Sequence, residues 1–85
     1  MMNVVEARRL TKEYFAKETS RYLELIEDYI RQVAGKGAWR CLYTKDIAAA
    51  RDEVQDAIIN TLLENGYEAE LVDNNSGIRI CWSES

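Results

Sequence analysis

The pattern that most constrains this chain is a helical one that covers more than a third of its length. Asn3 can cap a helix that continues to about Ala34, where Gly35-Lys36-Gly37 is typical of a helix end. Its second half carries apolar residues at helical spacing on one face: Tyr22, Ile26, Tyr29, Ile30 and Val33. Such a helix is about 48 Å long, whereas a compact domain of 85 residues is only about 30 Å across.

This mismatch leaves two arrangements open. The helix can break between Lys17 and Ser20, with Thr19 or Ser20 as a second cap, and fold back over its own sheet. It can also continue, so that its first turns project from the body. A projecting apolar stripe needs a cover, and we expect a second copy to supply it. The residues expected in that interface are Val4, Ala7, Leu10, Tyr14 and Phe15.

The rest of the chain predicts a strand, a second helix and a β-hairpin. Residues 38–43 alternate as a strand, with Trp39, Cys41 and Tyr43 on one side. Thr44 or Asp46 can cap the second helix, which ends at Asn65-Gly66. Two alternating strands, 67–71 and 78–82, flank the turn-forming residues 73–77.

The parity of the hairpin turn decides its register. A loop with an even number of residues places Leu71 opposite Ile78 and Glu70 opposite Arg79. An odd loop would put Glu70 against Ile80 and split the apolar face. We therefore predict an even loop.

These elements predict one α+β domain over residues 1–85, with two helices on one face of a three-stranded sheet. The sheet residues expected in the core are Trp39, Tyr43, Leu71, Ile78, Ile80 and Trp82. The residues expected on the other face are Arg40, Leu42, Glu68, Glu70, Arg79 and Cys81.

Composition argues against several classes of function. The chain has no histidine and only two cysteines, Cys41 and Cys81, far from CxxC spacing, so we expect no metal, no cofactor and no catalytic residues. A reducing, cytoplasmic setting suits two lone cysteines best. No apolar stretch approaches membrane-spanning length and no signal peptide is apparent, so we expect no membrane partner.

A local basic cluster suggests an alternative function. Arg31, Lys36 and Arg40 lie close in sequence, and the backbone amides around Lys36 could help to hold a phosphate. The order helix–Gly-Lys-Gly–strand is the reverse of a Walker loop. A plain helix end is the competing interpretation of these residues.

The end of the chain resembles that of small uncharacterised tailed-phage proteins. The resemblance rests on Leu62-Leu63-Glu64-Asn65-Gly66-Tyr67-Glu68-Ala69 and on Ile78-Arg79-Ile80-Cys81-Trp82, and it covers roughly residues 22–82. It implies a phage or prophage origin, in the host cytoplasm or the virion, and a non-enzymatic role in the virion or against the host.

The sequence therefore predicts a non-catalytic protein-interaction module that forms a homo-oligomer and also binds an unknown protein, as a phage accessory or virion-associated protein. The alternative is a protein that sequesters a small ligand such as a nucleotide, or that inhibits a host defence. The two hypotheses differ in the surface used: the interface stripe in the first, and the basic cluster in the second.

The charge distribution yields a first prediction. Residues 38–85 carry four basic and nine acidic side chains, and nucleic-acid affinity depends on neutralising phosphates. We expect no salt-sensitive binding to duplex DNA near physiological ionic strength, measured by fluorescence anisotropy of a labelled duplex. Micromolar binding that weakens steeply as salt is added would contradict this expectation.

Overall fold

The structure is a computed structural model that describes residues 1–83. Its elements are α1 (Val4–Ala34), β1 (Arg40–Tyr43), α2 (Asp52–Glu64), β2 (Glu68–Val72) and β3 (Gly77–Cys81). The strands form one antiparallel sheet in the order β1-β3-β2, and α1 and α2 pack against it, which confirms the α+β prediction. Neither helix of the described chain is long and apolar enough to cross a membrane.

Helix α1 is continuous, which decides between the two predicted arrangements. The Asn3 side chain caps its start by accepting a hydrogen bond of 2.9 Å from the Glu6 amide. Thr19, a candidate second cap, instead donates its hydroxyl to the Phe15 carbonyl at 2.8 Å and lies buried. Thr19 is therefore a residue within the helix and not a cap, and α1 passes through residues 17–20 without a break.

The length of α1 sets the shape of the molecule. Its 31 residues measure about 46 Å, and the chain extends over 55 × 24 × 20 Å. The radius of gyration is 14.7 Å, against about 12 Å for a compact chain of this length. The N-terminal half of α1 therefore projects from the body.

The hairpin has the predicted even register. Leu71 pairs with Ile78 and Glu70 with Arg79, and Val72 pairs with Gly77 across the four-residue loop 73–76. Asp73, Asn74 and Asn75 have φ between 53° and 64°, a region that asparagine and aspartate tolerate better than other residues with side chains. The loop residues thus permit the turn that the apolar pattern of the strands requires.

The core lies between the two helices and the inner face of the sheet. Its buried hydrophobic residues are Ile26, Ile30, Tyr43, Ile47, Val54, Ile58, Leu62, Ile78 and Ile80. Half-buried hydrophobic residues from the sheet and its ends pack against them, namely Cys41, Tyr67, Ala69, Leu71 and Trp82. The Tyr67 and Trp82 rings meet edge to face, with centroids 6.2 Å apart. Both helices pack against the same face of the sheet, as predicted.

Trp39 is a correction, because it does not belong to the core. Its side chain is 54% exposed. The chain bends at Trp39, before the first residue of β1, so the inward alternation begins only at Cys41. The Trp39 carbonyl still accepts a hydrogen bond of 2.9 Å from the Trp82 amide, which fixes its backbone at the end of the sheet.

The start of α2 is a second correction. The sequence predicted a cap at Thr44 or Asp46, but residues 45–49 form turns and α2 begins at Asp52. The carbonyl of Asp46 accepts a hydrogen bond of 2.8 Å from the Tyr22 hydroxyl, and Asp46 has φ of 59°. Ile47 is nevertheless fully buried. Packing and hydrogen bonds to distant residues thus override the helical pattern here.

A buried amide ties these segments together. Gln55, which is 2% exposed, donates from its side-chain nitrogen to the Ile47 carbonyl at 2.8 Å and to the Asn75 carbonyl at 3.0 Å. One side chain of α2 thereby holds both the turn before the helix and the tip of the hairpin. Apolar residues at this position could not provide these two bonds.

Replacing this amide should destabilise the fold. Gln55→Met preserves approximate volume but removes the side-chain donor of both carbonyls, of which the Ile47 carbonyl keeps its bond from the Ala50 amide, so we expect the free energy of unfolding to fall by about 1–3 kcal/mol. Gln32→Met, on the exposed surface of α1, is the matched control and should change it by less than about 0.5 kcal/mol. Urea unfolding followed by circular dichroism measures both. Equal effects of the two substitutions would contradict the assigned role of Gln55.

Candidate protein-interaction surface

The projecting part of α1, residues 4–14, is called the arm below. Every residue from 1 to 14 is exposed. Among the predicted interface residues, Val4 is 60%, Leu10 43% and Tyr14 56% exposed, and Ala7 is exposed as well. Phe15 differs from them because it is half-buried and packs against the core. The prediction thus identified four residues of the arm and the residue at its base.

Contacts at the base hold α1 to the body. The Arg51 guanidinium lies 5.7 Å from the centroid of the Phe15 ring, in a cation–π contact with the start of α2. Two turns further along α1, Tyr22 donates its hydroxyl to the Asp46 carbonyl at 2.8 Å. Burial raises the pKa of Tyr22, and the Asp46 carboxylate raises it further, so this hydroxyl keeps the proton that it donates. These contacts fix the direction in which the arm leaves the body.

The apolar stripe of the arm does not continue the face that packs on the body. At about 100° per residue, Ala7, Leu10 and Tyr14 lie about one residue out of phase with the face that carries Ile26 and Ile30. An uninterrupted helix therefore cannot turn both sets toward the same sheet. The stripe remains available for another surface.

The accessible surface supports this interpretation quantitatively. The chain exposes 6276 Å², whereas a compact monomer of 9.8 kDa exposes about 5,200 Å². The excess of about 1,100 Å² exceeds the ~800 Å² that each partner contributes to a typical specific interface. Counted around the whole helix, the projection of α1 thus exposes more area than one partner buries in such an interface.

The outer face of the sheet is a second open surface, and its composition is as predicted. Glu70 and Arg79 form an ion pair across β2 and β3. Both side chains are more than half exposed, so the pair contributes at most about 1 kcal/mol. A shallow groove of about 390 Å³ runs along this face, lined by Arg40, Glu68, Ala69, Glu70, Arg79 and Cys81. Its mixed charges suit a polar protein surface better than an anion.

The predicted ligand-binding cations are not gathered into one groove. Arg31 pairs with Glu27 at 2.9 Å on the last turns of α1, and Lys36 is exposed in the turn that follows. Arg40 lines two grooves at the outer sheet face, neither of which includes Arg31 or Lys36. Neither of these two grooves therefore brings the three cations together.

The cysteines lie on opposite faces of the sheet and are both free. Cys41 packs against the core, where burial raises its pKa, while Cys81 lines the outer groove. Within residues 1–83, no group of three or more acidic or cysteine side chains is placed to hold a metal ion.

Comparison with protein-family models, with curated proteins and with solved structures finds no match to this chain. The candidate surfaces therefore depend on the geometry alone. Sequence reasoning missed Gln55, although one signal was present: it lies beside Val54 and three residues before Ile58, on the apolar side of α2.

The two cysteines should differ in reactivity. Because the raised pKa of Cys41 reduces its thiolate fraction at a given pH, we expect iodoacetamide at mildly alkaline pH to alkylate Cys81 first. Cys81→Ser should remove the fast phase, and Cys41→Ser should leave it unchanged. Time-resolved peptide mass spectrometry measures both rates. Faster labelling of Cys41 in the folded protein would contradict the assigned faces.

Proposed function

We propose that this protein is a non-catalytic interaction module that associates with itself through the arm. The observation that carries the proposal is the continuous α1, whose first eleven residues, 4–14, stand outside the body. Exposure of the apolar side chains of Val4, Leu10 and Tyr14 to water is unfavourable in free energy unless a partner covers them. Association of the arms removes this surface from water without any change in the body.

The area is adequate for a stable oligomer. Two arms that each bury ~800 Å² form an interface of standard size, and interfaces of this size have dissociation constants from micromolar to picomolar. Tyrosine, here Tyr14, is among the residue types that contribute most to such interfaces. We therefore expect the association to be complete at high micromolar concentration.

An oligomer built this way leaves the outer sheet face free for a different protein. The exposed Trp39 lines a groove at the end of this face with Arg40 and Glu68. Exposed tryptophan and arginine are typical of binding hot spots. We propose this face for the second, unknown partner, while the phage or virion setting implied by the resemblance stays a prediction. Capture of a small ligand has less support, because the three cations predicted for it do not line one pocket.

Charge introduced into the arm should dissociate the oligomer. The double variant Leu10→Glu/Tyr14→Glu places two carboxylates in the proposed interface, so we expect a monomer whose body still unfolds cooperatively and whose helix content falls by no more than the share of the arm. Light scattering coupled to size exclusion measures the mass, and circular dichroism checks the fold.

A matched control is Leu42→Glu/Leu63→Glu. These leucines are 45% and 50% exposed on β1 and α2, away from the stripe of α1, and the variant adds the same charge, so its mass should equal that of the wild type. A wild type that is monomeric at high micromolar concentration would refute self-association. Loss of stability without a change of mass in the arm variant would indicate that the arm packs on its own body.

A further inference from the structure

We infer that the partner of the arm is one second copy, bound antiparallel about a two-fold axis that passes beside Thr11. This inference rests on the proposed function and adds its geometry. In this arrangement each arm covers the stripe of the other, and the two bodies lie at opposite ends of the dimer. The argument comes from the placement of charges around the stripe.

The acidic and basic residues beside the stripe are ordered along the helix. At about 100° per residue, Glu6, Glu13 and Lys17 lie on the same flank of the Ala7–Leu10–Tyr14 stripe. Acidic residues thus precede the lysine along the chain. Among the described residues Glu13 and Lys17 form no ion pair, and Glu6 reaches only Arg9, at 3.7 Å. These charges are therefore available to a partner.

Antiparallel pairing makes this flank complementary to itself. Like flanks meet when two helices run in opposite directions, and a two-fold axis beside Thr11 places Glu6 of one copy at the level of Lys17 of the other. The same operation repeats the pair on the second copy and leaves the two Glu13 side chains about 5 Å apart along the axis, so that two opposite-charge contacts outnumber one like-charge contact. In the seam, the small Ala7 then lies within about 3 Å, measured along the axis, of the level of the partner's large Tyr14.

Parallel pairing lacks this complementarity. In a parallel pair, opposite flanks of the two helices meet, and a residue on one flank faces the residue five positions later on the partner. Glu13 of each copy therefore approaches Glu18 of the other, which places like charges together on both sides of the seam. The helix dipoles would also align unfavourably, whereas antiparallel arms oppose their dipoles. Charge therefore favours the antiparallel dimer.

The body leaves room for the second arm. The packed face of α1 lies about 100° around the helix from the stripe, so the side of α1 next to the stripe stays open beyond Phe15. Arg21 and Leu25 are exposed there. An overlap of residues 4–18 with their copies is about 21 Å long, or roughly four helical turns in each chain.

A charge-reversal cycle on the full chain tests the geometry. Within one chain Glu6 and Lys17 are about 16 Å apart along the helix, so coupling between them can arise only across an antiparallel interface. We expect Glu6→Lys and Lys17→Glu each to raise the dimer dissociation constant about 10-fold, because each creates two like-charge contacts. The double variant should return to within about 3-fold of the wild type, since local effects cancel in the cycle.

Chemical crosslinking gives an independent readout. Carbodiimide joins a carboxylate directly to an amine, so a mixed sample of isotopically light and heavy chains should yield a light–heavy peptide pair linking Glu6 to Lys17. A dimer with additive charge reversals and without this crosslink would overturn the antiparallel arrangement while leaving self-association intact. A monomeric wild type would overturn both.

Discussion

The structure depends on the mismatch between a long helix and a small sheet. Three strands of four or five residues cover only about 15 Å along their axes, so they can bury one half of α1 but not both. Phe15 marks the limit, because residues before it find no surface on their own chain. The apolar residues on the face of α1 that is turned toward the sheet pack on the body, and those on the stripe that is out of phase with this face lie in the arm.

The same small body needs polar contacts to keep its irregular segments in place. The turn at residues 45–49 lies outside any regular helix, and two of its carbonyls receive a side-chain donor from another element. Tyr22 of α1 donates to the Asp46 carbonyl, and Gln55 of α2 donates to the Ile47 carbonyl, which also accepts from the Ala50 amide at 3.0 Å. A buried carbonyl without a donor costs about 1–3 kcal/mol, a large share of the stability of a domain this size. Specific donors, rather than further apolar area, thus hold the base of the arm.

Local patterns in the sequence were sufficient for both ends of α1, the end of α2, the order of the strands along the chain and the hairpin register, because each is fixed by neighbours within a few residues. Glu70 opposite Arg79 followed from parity alone. The exposure of Trp39 and the late start of α2 were missed, because a chain bend and hydrogen bonds between distant residues decide them. The arm residues were identified from helix length, but the choice between a break and a projection required the Thr19 hydroxyl bond.

The arm also links folding to association. An isolated helix of about eleven residues is marginal in water, and most helical stability in proteins comes from packing of an apolar face. The arm has the Asn3 cap and one weak Glu6–Arg9 pair at its start, and the anchored half of α1 at its end. These features bias the arm toward the helix without packing its stripe. Pairing with a second arm provides that packing. In the proposed dimer, association therefore supplies the free energy that orders the arm, and the helicity of the arm increases with protein concentration.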